Sequence, residues 1–466
     1  MVFSLSVNAL PSFDPKPWQE DLEQAREAFA TKYANLEWLV LEREIDLPSL
    51  FVDAKARIES ASSPADAQAA FDRLARKFGD GHVRFRWPRG HPARTLGKAN
   101  CASLGYDARM QGSQTAALMP GYTPLTNAPA NEFPAGTIQV ENHKVGVVKI
   151  RIFTPQGLPE LCSAALQDLQ IAADTPCDEI CSDRIMTWGS ARMTRDLDAQ
   201  LRAIKATGAE ILLVDIADNG GGTEWAEAAA RMVTDVKLKS ERIGFVRGAH
   251  WAKAFAEKEA ELRAAARDAK GEDRVLLKGL ADEVSARRRE AETPCDSTPL
   301  WHGEKPPCRW LGDAFYASGL LASGEFSWPM DKSWASLVYQ PAKYHYEEAV
   351  WAGPLIVLVD GGTGSAAEQF AAVLQDNRAA VVMGAPTGGA GCGHTDGGTP
   401  TTLKNSGGIL EMPDCARFRA DGSNEVMGIQ PDVLVGLRST DGPHRQGVRV
   451  AAKLSEAVRR ALDRIR

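Results

Sequence analysis

Residues 355–383, LIVLVDGGTGSAAEQFAAVLQDNRAAVVM, constrain the fold of this chain more than any other stretch. The unbroken apolar run 355–359, rich in β-branched residues, predicts a strand buried on both faces. Gly361, Gly362 and Gly364 predict a tight turn. Ala367, Phe370, Ala371 and Leu374 then fall on one face of a helix over 365–375, and a second apolar strand follows. Residues 209–216, AEILLVDI, run into Asp218-Asn219-Gly220-Gly221-Gly222 and a helix from about 224, which repeats the plan. Two strand–glycine–helix crossovers in one sheet bring both glycine turns to the same strand ends. The expectation is an α/β fold.

Ser365 falls at the N-terminus of its helix, on a sharp turn, beside backbone N–H groups that no helical carbonyl reaches. A nucleophile and an oxyanion site can be built together there. A small hydroxyl residue at that position also serves simply as a helix cap. A phosphate cradle fits less well, because no Lys-Ser or Lys-Thr follows the glycines.

The formal net charge of −7, with no basic block, argues against nucleic acid as a partner. No apolar run approaches the ~20 residues a membrane span needs. The N-terminus, MVFSLSVNALPSFDPKPWQ, lacks the basic start and long apolar stretch of a signal peptide. It reads as a mature chain with a new Met1 or as a cytoplasmic start, and the cysteines favour the first. Most of the eight lie in polar, loop-like surroundings, which suggests disulfides and a periplasmic or secreted protein whose signal peptide has been removed. Nearness in sequence suggests Cys177–Cys181, Cys295–Cys308 and Cys392–Cys415, leaving Cys101 with Cys162. A zinc site at Cys392, His394 and Cys415 is the rival, although no Cys-x-x-Cys pair supports it.

Residues 1–87 read as a helical N-terminal segment. Its best-punctuated helix has Ser63 as N-cap, Pro64 at the first position and Gly79 just past the end. Asp80-Gly81-His82 follows, and then Val83, Phe85 and Trp87 alternate with arginines as in a strand, so His82 stands at a helix–strand corner. Residues 88–136 read as irregular connection, and 137–239 with 350–466 as the core. Residues 240–349 interrupt it. Half of the residues in 253–292 are charged, so this stretch is a solvent-facing helical hairpin, either a decoration or a lid. A basic amphipathic helix over 448–465 closes the chain.

Four separated motifs together resemble one family. They are Asp80-Gly81-His82; Asp215 with Asn219-Gly220-Gly221-Gly222; Gly364-Ser365-Ala366-Ala367-Glu368 with Gln375-Asp376; and Glu425-x-x-Gly428-Ile429-x-Pro431-Asp432. In this order they resemble the tail-specific (C-terminal processing) serine peptidases together with the tricorn-type branch. The resemblance implies a crotonase-like core of ββα units with a helical N-terminal cap. It also implies a serine hydrolase acting on peptide or protein substrates through an acyl-enzyme, with no metal or organic cofactor. The bacterial processing branch uses a serine–lysine dyad, but the matching lysine position here holds Ala390, and 88–136 is short for that branch's PDZ domain. The tricorn-type branch resembles a Ser–His–Glu set, which this chain offers as Ser365, His82 and Glu425. Gly81 stands where tricorn protease has a serine before the histidine.

The chemistry fits those residue types. A serine hydroxyl needs a base, an imidazole suits neutral pH, and a carboxylate such as Glu425 can hold the imidazole's tautomer. The oxyanion donors would be the N–H of Ala366 with that of Gly221 or Gly222. His394, in the second glycine-rich loop, is a rival base. A non-catalytic ligand-binding or carrier protein on the same core is the alternative function.

Overall fold

The computed structural model describes residues 13–88, 100–126, 132–172, 175–322, 332–394, 398–438 and 440–464. Parts of the expected irregular connection, 89–99 and 127–131, lie outside the described residues. Three helices come first: α1 (Lys16–Lys32), α2 (Leu47–Glu59) and α3 (Pro64–Phe78). At the start of α3 the Ser63 side chain accepts from the Asp66 N–H, and Gly79 ends it in the left-handed region at φ +65°. The chain then turns through His82 into β1 (Arg84–Arg86).

β2 (Thr123–Pro124), β3 (Ala135–Val140) and β4 (His143–Lys149) form an antiparallel run. α4 (Pro159–Asp168) and the long α5 (Glu179–Ala206) follow. Asp178 caps α5 by accepting from the Cys181 N–H. The first glycine turn then separates β5 (Ile211–Asp215) from α6 (Trp225–Met232). Next come β6 (Arg242–Val246) and the helices α7 (Ala249–Asp268) and α8 (Gly271–Ala291), which pack on each other and bury Leu262, Leu277, Ala281 and Val284. α9 (Thr298–Trp301), β7 (Leu311–Tyr316) and α10 (Ala335–Val338) lead to β8 (Leu355–Val359), the second glycine turn and α11 (Ala366–Asp376). The chain ends with β9 (Val381–Gly384), β10 (Thr401–Thr402), β11 (Ile409–Glu411), β12 (Cys415–Phe418), β13 (Val433–Leu434) and α12 (Pro443–Asp463).

The central sheet has seven strands in the order β13-β9-β8-β5-β4-β3-β2, and the five from β13 to β4 are parallel. Alternation in the buried strands sorts their side chains onto two cores. Leu355, Val357 and Val359 face one core with α5, α6 and α11, while Ile356 and Leu358 face the other. The apolar stripe of α12 (Val450, Leu454, Ala457, Val458) covers that second face. The result is a mixed α/β fold around a central sheet.

Two small antiparallel sheets, β1-β11-β10 and β12-β6-β7, flank it. The N-terminal helices pack on the first, joining Phe71 and Phe78 to Phe85, Leu403 and Leu410 in one apolar cluster. All eight cysteines pair as Cys101–Cys162, Cys177–Cys181, Cys295–Cys308 and Cys392–Cys415. Such bonds belong in an oxidising extracellular or periplasmic environment. The last of them overturns the zinc alternative, because both of its thiol ligands are spent in the disulfide. Among the described residues no helix is long and apolar enough to cross a membrane.

Candidate active site

β5 and β8 are parallel neighbours, so both glycine turns leave the same edge of the sheet. They touch there: the Gly364 N–H donates to the Asn219 carbonyl at 3.0 Å. A Cβ on Gly221 would lie 2.7 Å from the Ser365 Cβ and 2.8 Å from the Ala366 nitrogen, so only glycine lets the loops approach this closely. Ser365 sits at φ +56°, ψ −121°, a conformation that costs a non-glycine residue roughly 1–3 kcal/mol. The turn thereby presents its hydroxyl at the helix start.

His82 reaches this hydroxyl from the far end of the sequence. Its Nε2 lies 3.2 Å from Ser365 Oγ, and its Nδ1 lies 2.7 Å from the Ala390 carbonyl oxygen. A carbonyl only accepts, so Nδ1 carries the proton and Nε2 is left with the lone pair that faces the hydroxyl. Burial pushes the imidazole down to about 4, against the Ala390 hydrogen bond that pulls it up. The ring is therefore neutral at physiological pH.

Asp80 holds the corner through its backbone. Its carboxyl accepts from the His82 N–H at 2.9 Å, the Asn35 amide at 2.8 Å and the Tyr33 hydroxyl at 3.1 Å. Burial raises Asp80 to about 6.

Glu425, expected beside the imidazole, pairs with Arg417 in this structure. Both of its oxygens take the Arg417 guanidinium at 2.6 Å, and the imidazole's Nδ1 is occupied by a main-chain carbonyl instead. A bidentate pair with a buried arginine satisfies this carboxylate so fully that it has no reason to seek the ring. Arg417 also donates to the Ser365 and Gly391 carbonyls, each at 3.0 Å, and to Gln369 at 3.2 Å. His394 is close by, its ring centroid 5.9 Å from that of His82, but among the described residues the hydrogen-bond partner of Ser365 Oγ is His82.

The expected oxyanion donors divide. The Gly221 N–H donates to Asn219 Oδ1 at 2.9 Å. The N–H groups of Gly222 and Ala366 make no hydrogen bond among the described residues. Ala366 is the first residue of α11, where a helix leaves its N–H groups free.

Sequence reading assigned no role to two buried charges at this site, Arg417 and Glu368. Glu368 lies one turn into α11 and accepts from the Ser365 N–H at 3.0 Å. A signal for it was present, because Ser365-x-x-Glu368 has the spacing of a capping box. Arg417, in a four-residue strand beside a cysteine, carries no such signal.

The profile of peptidase family S41 matches residues 180–435, more than half of the chain. No curated protein matches it. Among solved structures, mature CPAF superposes with a TM-score of 0.60 at 14% identity, covering 96% of this chain and 98% of that one. Mature CPAF complexed with lactacystin gives 0.59 at 14% identity, covering 96% and 99%. A putative peptidase from Parabacteroides merdae gives 0.48 at 12%, covering 97% of each chain. At 14% identity the likeness to the two CPAF structures is one of fold, and the assignment rests on the profile. The chain belongs to peptidase family S41, and it is a serine-type peptidase.

Proposed function

We propose that this enzyme cleaves peptide bonds with Ser365 as nucleophile and His82 as base, on a crotonase-like core with a helical N-terminal cap. The observation that carries this reading is the hydrogen-bonded series from Ser365 Oγ through His82 to the Ala390 carbonyl. As Ser365 Oγ attacks the substrate carbonyl carbon, its proton passes to His82 Nε2, and the oxyanion is held by the N–H groups of Ala366 and Gly222. His82 returns that proton to the leaving amine. A water, deprotonated in turn by His82, then frees the acyl group from Ser365.

The histidine-based branch is favoured by what stands at the family's lysine position. The Ala390 Cβ is 3.1 Å from a Cβ built on Gly81 and 3.8 Å from one built on Gly364, so a lysine there would emerge beside the nucleophile. With alanine in its place, the main chain of that residue serves the imidazole instead. An extended main-chain carbonyl does part of what a triad carboxylate does, since it fixes the tautomer, but it supplies no full negative charge.

The α7–α8 pair stands near this loop: the Trp251 indole N–H donates to the Asp414 carbonyl at 3.0 Å, and Phe245 and Trp251 share a cluster with Cys392 and Cys415. We assign it the role of a cover over the site.

The test is digestion of an unfolded polypeptide followed by mass spectrometry. Wild type should generate new termini, and Ser365→Ala none. Stoichiometric ligand binding with no cleavage by either would favour a carrier.

A further inference from the structure

The Glu368 carboxylate collects five hydrogen-bond donors from two separate segments. Oε1 takes the Thr387 hydroxyl at 2.5 Å and the Gly389 N–H at 2.8 Å. Oε2 takes the N–H groups of Ala390 at 2.8 Å, Ser365 at 3.0 Å and Gly391 at 3.3 Å. Thr387 Oγ1 itself accepts from the Ile429 N–H, so its own proton points to Glu368. Burial, reinforced by the Glu425 charge, raises the Glu368 carboxyl above its ordinary value, and the hydrogen bonds from Thr387, Ala390 and Gly389 pull it back down.

The pattern is more specific than a buried loop staple requires. Arg417 donates to the carbonyls of Ser365 and Gly391, while Glu368 accepts from the N–H groups of the same two residues. The two side chains therefore grip the nucleophile's turn and the loop from both polarities. Between those grips lies Ala390, whose N–H is held by Glu368 and whose carbonyl meets His82.

We propose that Glu368 is the positioning residue of the site. By fixing the Ala390 peptide against the Ser365 turn it sets the tautomer and distance of an imidazole that it never touches. This rests on the Ser365–His82 reading. It returns a carboxylate to the relay through the 390–391 peptide plane, whose Gly391 N–H is held by Glu368 and whose Ala390 carbonyl meets His82, where the Ser–His–Glu pattern would have placed it directly on the ring.

The test uses the full chain and its Glu368→Gln and Thr387→Val variants. An amide at 368 would turn its own N–H₂ toward N–H donors, so the loop loses acceptors without losing volume. Two readouts are needed: the per-molecule rate at which a fluorophosphonate labels Ser365, and the ¹⁵N imidazole spectrum of His82. In wild type the spectrum should show one tautomer, protonated on Nδ1. In folded Glu368→Gln the labelling rate should fall about 100-fold, as misplacement of a base by about 1 Å does, and both tautomers should appear. If Glu368 only stabilises the fold, the labelled fraction falls while rate and tautomer stay as in wild type, and the proposal is overturned.

Should Glu368→Gln fail to fold, Thr387→Val removes one donor and keeps the carboxylate. It should slow labelling less, with the same mixing of tautomers, and an unchanged rate and spectrum would overturn the proposal. A wild type that is not labelled at all overturns the Ser365–His82 reading itself, whereas labelled wild type with equally reactive variants overturns only the role of Glu368.

Discussion

Ser365 and His82 stand 283 positions apart and meet at 3.2 Å. Nothing local in the sequence pairs them; the order of four motifs shared with a family is what singled both out as candidates. The third partner was not legible, because a main-chain carbonyl has no letter of its own. Glu425 had the right residue type in the right motif, yet buried Arg417 claimed both of its oxygens. Two predictions belong at this scale. First, His82→Ala should abolish turnover with the fold intact, while His394→Ala keeps most of it, as measured by kcat/KM on a fixed peptide. Second, Glu425→Ala should remove both short carboxylate contacts of buried Arg417, leaving Glu241 at 3.8 Å as its ion-pair partner, and cost up to about 3–5 kcal/mol of stability in denaturant unfolding. The pH midpoint of activity in the folded variant should stay where it is in wild type, because Glu425 does not touch the ring; a large shift would put Glu425 back in the triad.

At the scale of elements, what could be read was what repeats and buries itself. Residues 355–359 are apolar without a break, and become a strand whose two faces enter two different cores. α3 could be read from its caps. The small sheets could not: β1 pairs with β11 as Arg84↔Glu411, Phe85↔Leu410 and Arg86↔Ile409, three short-range-blind pairings across most of the chain. The loop that carries Ala390 is likewise fixed by distant contacts, namely Glu368 from α11 and the Cys392–Cys415 disulfide to β12. A bridge closing a loop of that length, 23 positions, contributes about 3 kcal/mol in the chain-entropy picture. The Cys392→Ser, Cys415→Ser double variant should therefore unfold at lower denaturant and lose activity before it loses global structure, followed by circular dichroism beside peptide cleavage. Equal activity up to the unfolding transition would show that Glu368 holds the loop without help from the disulfide.

At the scale of the whole molecule, the α/β class and the paired glycine turns follow from local apolar runs and glycine requirements, whereas disulfide connectivity is not fixed by spacing: Cys101–Cys162, 61 positions apart, is only what the nearer pairs leave over. The central question is whether a neutral, half-buried imidazole serves as the base. Burial lowers the His82 pKa, so the ring stays unprotonated above about pH 4, and activity should persist until the pH falls through that value. An unburied histidine would lose its basic form near 6.5. The decisive measurement is the pH dependence of fluorophosphonate labelling at Ser365 in the uncomplexed enzyme. A single acid limb with its midpoint near pH 4, absent in His82→Ala, is the expected result. A midpoint near 6.5, or a profile that His82→Ala leaves unchanged, would contradict it and move the base elsewhere.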